Sequence, residues 1–186
     1  MADAAKPGGE DPKGLSGLSL AFLVVAVVAS FALLPRVFGG FHSPLVGKEA
    51  PAFELRAVLN PPEAGESVDL ASLRGRPVLL DFWATWCGPC RAEAPVLERV
   101  ARRFQGDGLV VLGVNTHDEE GLAEAFGKRL GLTYPLVFDT SSRVARAYGV
   151  DSFPTLVLVD REGKVSAVRV GTTDEAELER LLRKVL

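Results

Sequence analysis

The chain has 186 residues, room for one domain of ordinary size plus an extension. Its 21 lysines and arginines against 24 acidic residues leave a net charge of −3, with no basic block of the kind that suggests nucleic acid. Two cysteines are too few to staple a scaffold and too few for a closed zinc site, and nothing places His42 or His117 beside them, so no metal is expected.

Residues 1–14, rich in proline, glycine and acidic side chains, read as a short disordered cytoplasmic tail. From Gly14 to Pro35 no residue is charged. As a helix this interval would rise about 33 Å, enough for a hydrocarbon core of roughly 30 Å. A helix apolar on every side has no polar face for a small soluble domain to expose. Residues 15–35 are therefore read as a transmembrane anchor. A cleaved signal peptide is the competing reading, but Leu33-Leu34-Pro35-Arg36 is a poor cleavage site. Residues 36–50 read as a linker and 51–186 as the globular domain.

Ala52 to Leu55 and Ser67 to Leu70 look like short strands around a Pro/Gly-rich turn at 60–65. Val78 to Trp83 is an apolar central strand, and Leu109 to Asn115 a second buried strand. Asp118 to Leu130 is helical in pattern, with Leu122, Phe126 and Leu130 spaced by four. Leu136 to Asp139 is a strand, Ser142 to Tyr148 a short helix, and Thr155 to Asp160 a strand that turns into Val165 to Val170. Asp174 to Val185 closes the chain as an amphipathic helix capped by Thr173 or Asp174. Strands alternating with helices, then a hairpin and a helix, imply an α/β fold with a mixed sheet covered on both faces.

Both cysteines lie in Trp86-Cys87-Gly88-Pro89-Cys90, between the central strand and a helix-like run from Arg91. Positions three apart meet on one face of a helical turn, so the two sulfurs can reach bonding distance. The helix N-terminus favours the thiolate, the reactive form of cysteine. The pair reads as a dithiol–disulfide exchange site. Export of the larger C-terminal part suits such chemistry, although Lys6 and Lys13 before the span balance Arg36 and Lys48 after it.

Four segments resemble the thioredoxin superfamily, and within it the membrane-anchored extracytoplasmic branch (TlpA/ResA-like and cytochrome c maturation thioredoxins). They are Gly47-Lys48-Glu49-Ala50-Pro51-Ala52-Phe53, the run from Leu79 through the cysteines to Pro95, Val114-Asn115, and Tyr148-Gly149-Val150-Asp151-Ser152-Phe153-Pro154-Thr155. Asp118 to Tyr134 matches that branch's helical insert. The resemblance implies a thioredoxin-like fold with an N-terminal strand extension, and thiol–disulfide exchange with no cofactor beyond the Cys87–Cys90 pair.

Cys87, just before the helix, is expected to be the attacking sulfur nearest solvent, and Cys90 the resolving thiol. Gly88-Pro89 is the dipeptide of reducing thioredoxins, which favours a reductant. Pro154 resembles the family's cis-proline and would present the backbone of Phe153 to an extended client. Trp86 and Trp83 flank the site. Asp81 matches the buried aspartate of thioredoxins, and Glu93 the acid that the exported branch uses instead; either could exchange a proton with Cys90.

The resemblance further implies a protein of the bacterial cytoplasmic membrane, single-pass, with its C-terminal domain periplasmic. Its clients would be cysteine-containing exported proteins, apocytochrome c first, and a membrane thiol-electron transporter would supply electrons. Alternatives are a reductant of copper-site cysteines in respiratory oxidase assembly, a Cu(I) chaperone, or a thiol peroxidase. Met1 is the only methionine, which disfavours the chaperone. The peroxidase is disfavoured because its reactive cysteine sits in a different loop. A reporter enzyme active only outside the cytoplasm, fused after Leu186, is expected to be active; a stable but inactive fusion would count against export.

Overall fold

The computed structural model describes Phe22, residues 25–27, 43–62, 65–119 and 121–186. The chain divides into two compact units, Met1–Phe41 and His42–Leu186. The expected tail at 1–14 and most of the expected anchor at 15–35 lie outside the described residues. Phe22 and residues 25–27 are helical. Among the described residues no helix is long and apolar enough to cross a membrane.

In the second unit the described elements are β1 (Glu54–Leu59), β2 (Ser67–Asp69), β3 (Val78–Trp83), α1 (Gly88–Phe104), β4 (Val110–Thr116), α2 (Leu122–Leu130), β5 (Leu136–Asp139), α3 (Arg143–Ala147), β6 (Thr155–Val159), β7 (Val165–Val170) and α4 (Glu175–Leu182). The strands form one sheet in the order β2-β1-β5-β4-β3-β6-β7. Its centre, β3, β4 and β5, is parallel. The hairpin β6–β7 and the N-terminal strands β1 and β2 are antiparallel additions on either side. This is the expected mixed sheet with an N-terminal extension.

All six residues of β3 are buried, as a strand covered on both faces must be. Successive side chains alternate between faces. Leu79 and Trp83 enter one apolar layer with α1, α2 and α4; Val78, Leu80 and Phe82 enter the other, with Phe53, α3 and Tyr148. Asp81 has the parity of Leu79 and Trp83, so it faces the α1 layer. Helix α1 turns a helical stripe toward it, made of Cys90, Glu93, Ala94, Leu97, Val100 and Phe104. Helix α4 crosses α1 through the ion pairs Arg99–Glu175, at 3.0 Å, and Arg103–Glu179.

Three local expectations shift. The helix expected from Asp118 begins at Leu122, after Gly121 at φ 93°; Asp118 instead spends its carboxylate on backbone and side chains outside the helix. The closing helix ends at Leu182 rather than Val185, and Asp174 is its cap, accepting from Glu177 N. The last residues of the stretch read as linker are bonded into the domain. Gly47 N donates to Val165 O, Val165 N to Lys48 O, and Ala50 N to Gly163 O, at 2.8 to 2.9 Å.

Gly113 of β4 lies directly beside Asp81 of β3. A Cβ there would lie 2.5 Å from Leu136 Cδ2 and 3.1 Å from Trp83 Nε1. Both side chains are buried and cannot yield freely. Gly113→Ala is expected to cost about 1–3 kcal/mol, typical of overpacking, and urea unfolding of the oxidised protein would show it.

Candidate active site

Strand β3 ends at Trp83, and after four intervening residues α1 begins at Gly88. Cys87 is the N-cap of α1, and its Sγ accepts the N–H of Cys90 at 3.1 Å. The helix thus opens with a sulfur in the role that a Ser or Asp oxygen usually fills. Pro89 sits in the first turn, where no hydrogen bond is lost. Cys87 and Cys90 are joined as a disulfide with Cα atoms 5.3 Å apart. The two residues are only 5% and 4% exposed, so the expected contrast in solvent access between them is absent in this oxidised state. Their difference is one of bonding: the Cys87 sulfur takes the helix N–H.

The exposed rim around the pair is Trp86, Gly88 and Pro89. Trp86 is 61% exposed. Its ring meets Phe153 edge-on at 5.8 Å, and Phe153 also contacts His117 at 5.9 Å. The Phe153–Pro154 peptide bond is cis. Because Thr155 pairs with Phe82, the cis-proline loop stands at the end of the sheet from which the cysteines emerge. Trp83 does not share the rim. It is buried, with its ring 4.8 Å from Phe126 of the α2 insert.

Behind the disulfide lie the two acids. Asp81 is 5% exposed and Glu93 3%. Glu93 Oε1 accepts the N–H of Thr173 at 2.7 Å. Among the described residues, Asp81 Oδ1, Glu93 Oε2 and Trp83 Nε1 are buried without a hydrogen-bond partner. Burial pushes the Asp81 carboxyl well above the ordinary carboxylate range, and the negative charge of Glu93 adds to it. Burial also raises Glu93, partly offset by the Thr173 N–H. Tyr134, its phenol raised by burial and by the charges of Asp81, Glu98 and Glu93, borders the same layer.

A family model described as the AhpC/TSA family matches residues 46–168. The chain is 34% identical over 154 residues to the thiol-disulfide oxidoreductase ResA of Bacillus subtilis (strain 168), with 83% of each chain covered. It is 32% identical over 163 residues to ResA of Geobacillus thermodenitrificans (strain NG80-2), covering 88% of this chain and 91% of that one. Among solved structures, a candidate thiol:disulfide interchange protein DsbE from Chlorobium tepidum matches with a TM-score of 0.67 at 34% identity, covering 75% of this chain and 96% of that one. The chain belongs to the AhpC/TSA family. Within that family it is a thioredoxin-like thiol-disulfide oxidoreductase of the TlpA and ResA type.

In this oxidoreductase the residues singled out in the sequence gather in two places. Trp86, Gly88, Pro89 and Phe153 form the rim; Asp81 and Glu93 lie in the layer beneath the sulfurs. Sequence reasoning missed three contributors. Thr173 supplies the N–H that holds Glu93. Thr85 and Asp118 link the cysteine loop to the insert, Thr85 N donating to Asp118 Oδ2 at 2.5 Å. The Asn115-x-x-Asp118 spacing at a strand end was visible in the sequence, but no local pattern pointed to its partner at the end of the neighbouring strand.

The raised carboxyls set a sign for the pH dependence of stability. An acid whose pKa is higher folded than unfolded binds more protons in the native state, so stability falls as pH rises above the ordinary carboxylate range. The loss continues until the raised value is passed. Asp81→Asn removes the buried charge. It is expected to be more stable than wild type at pH 8 and to lose less stability between pH 5 and pH 8, measured by urea unfolding of the oxidised forms.

Proposed function

We propose that the protein is a membrane-anchored reductant of cysteine pairs in exported proteins, with apocytochrome c before haem attachment as its client. The observation that carries the reading is a disulfide at the N-terminus of α1, with the Cys87 sulfur on a helix N–H and two raised carboxyls beneath it. The uncharged Gly14 to Pro35 interval supports the anchor and an extracytoplasmic domain. The Gly88-Pro89 dipeptide supports the reducing direction. The resemblance to cytochrome c maturation thioredoxins supports the client, and a membrane thiol transporter returns the electrons.

The reaction begins from the reduced pair. The Cys87 thiolate, favoured by the helix N–H groups, attacks one sulfur of the client's disulfide. A mixed disulfide forms, and the client's other sulfur leaves as a thiolate and takes a proton. Cys90 then gives its proton to the carboxylate form of Asp81 or Glu93 and attacks Cys87 Sγ. The bond between Cys87 and the client breaks, and the client leaves with both thiols reduced. Two electrons have passed to the client, and the Cys87–Cys90 disulfide is the oxidised product. Trp86, Phe153 and Pro154 form the ledge on which an extended client lies during the attack.

Cys90→Ser should hold clients as long-lived mixed disulfides through Cys87, identified by mass spectrometry after non-reducing capture. A c-type apocytochrome among the captured proteins supports the reading. Equal trapping by Cys87→Ser overturns the assignment of the two sulfur roles, and capture of oxidase copper-site subunits alone moves the client to oxidase assembly.

A further inference from the structure

The segment that delivers Cys87 is gripped from outside its own strand and helix. Asp118, in the loop between β4 and α2, accepts four hydrogen bonds. Its Oδ2 takes Thr85 N at 2.5 Å and Asn115 Nδ2 at 3.0 Å; its Oδ1 takes Thr85 Oγ1 at 2.9 Å and Glu119 N at 3.0 Å. The preceding residue adds a fifth contact, for the carbonyl of His117 accepts Trp86 Nε1 at 2.9 Å. Thr85 and Trp86 are the two residues immediately before Cys87, inside a turn closed by Cys87 N donating to Ala84 O at 3.1 Å. His117 reaches this position with φ 53°, a left-handed conformation uncommon outside glycine.

We propose that Asp118 is a positioning residue for the exchange reaction, holding the Ala84–Cys87 turn so that Trp86 stands against Phe153 and forms one wall of the ledge for an extended client. The inference rests on Cys87 and Cys90 being the exchanging pair. It assigns to the β4–α2 loop a task beyond covering the sheet: it fixes the approach to the sulfur.

The side-chain type fits the task. Four donors converge on two oxygens, and only a carboxylate offers acceptors to all of them. Burial alone would raise this carboxyl, but the hydrogen bonds from Asn115, Thr85 and Glu119 outweigh it and hold it below its ordinary range. It therefore stays an acceptor wherever the thiol chemistry runs. An amide in its place keeps one oxygen. With that oxygen toward Thr85 N and Asn115 Nδ2, the amide NH2 can still donate to the Thr85 hydroxyl but opposes Glu119 N. Asp118→Asn should thus lie between wild type and Asp118→Ala.

The test compares wild type, Asp118→Asn and Asp118→Ala by three measurements. Reduced proteins are reacted with a short peptide closed by a disulfide and with bis(2-hydroxyethyl) disulfide, which is too small to use the ledge. Hydrogen exchange at the Trp86 indole N–H is followed by NMR in the oxidised proteins, and the folded fraction by urea unfolding. Asp118→Ala is expected to slow the peptide reaction about tenfold or more, as small displacements of reacting groups do. The small disulfide should change by less than about twofold, because it needs no docking. The Trp86 indole should lose its protection, and Asp118→Asn should fall between. Unchanged Trp86 protection, or equal slowing of both disulfides, overturns the inference and leaves Asp118 a fold-stabilising residue. The indole measurement needs no thiol chemistry, so a wild-type protein inert toward both disulfides would defeat the sulfur assignment separately.

Discussion

A strand buried on both faces has to surface somewhere, and the chemistry of this protein is placed where β3 does so. Six consecutive buried residues leave β3 no accessible side chain, so its position is held by both apolar layers together. The chain leaves that strand, turns within Ala84–Cys87 and enters α1, whose first N–H groups have no partners within the helix. Cys87 takes one of them. The reactive sulfur is thereby attached to a fully buried strand while lying just past its end. Opening and closing the disulfide then demands little of the core.

The same layer that anchors the sulfurs also contains the groups that weaken it. A carboxyl oxygen buried without a partner costs about 1–3 kcal/mol, and both Asp81 and Glu93 have one. An apolar residue at either position would pack without that penalty. The two acids face each other's field, so ionising one makes the other harder to ionise. Burial raises both, so each carboxyl keeps its proton to higher pH than an exposed one would. Thr173 moderates the arrangement by donating to Glu93, which ties the acid pair to the loop between β7 and α4. Stability is spent next to the sulfur, as is common where a site needs groups held in an unfavourable state.

Above the sulfurs, the surface is assembled from three separate stretches. The cysteine turn brings Trp86, the β6 approach brings Phe153 and the cis-proline, and the β4–α2 loop brings His117 and Asp118. Aromatic contacts of 5.8 and 5.9 Å join all three. The α2 insert contributes on the inside too, since Phe126 supports Trp83, and Trp83 covers Gly113 beside Asp81. Core, proton-holding layer and rim are therefore mechanically linked through one end of the sheet.

The sequence by itself determined the elements and the chemistry carried on them. The apolar run of β3, interrupted only by Asp81, pointed to a central strand, the run from Arg91 pointed to a helix, and the Cys-Gly-Pro-Cys spacing at their junction pointed to the reaction. Such features are local, because propensity, periodicity and a three-residue separation all act within a few turns of chain. Tertiary structure alone decided which residues serve the site from a distance. Glu93 reads as easily for a solvated helix residue until Thr173 bonds to it, and Asp118 reads as the start of a helix until Thr85 offers its N–H from the end of the neighbouring strand. These assignments depend on partners 80 and 33 positions away in sequence. A hydrogen bond or a desolvated charge has no signature in the chain until folding brings its second half into place.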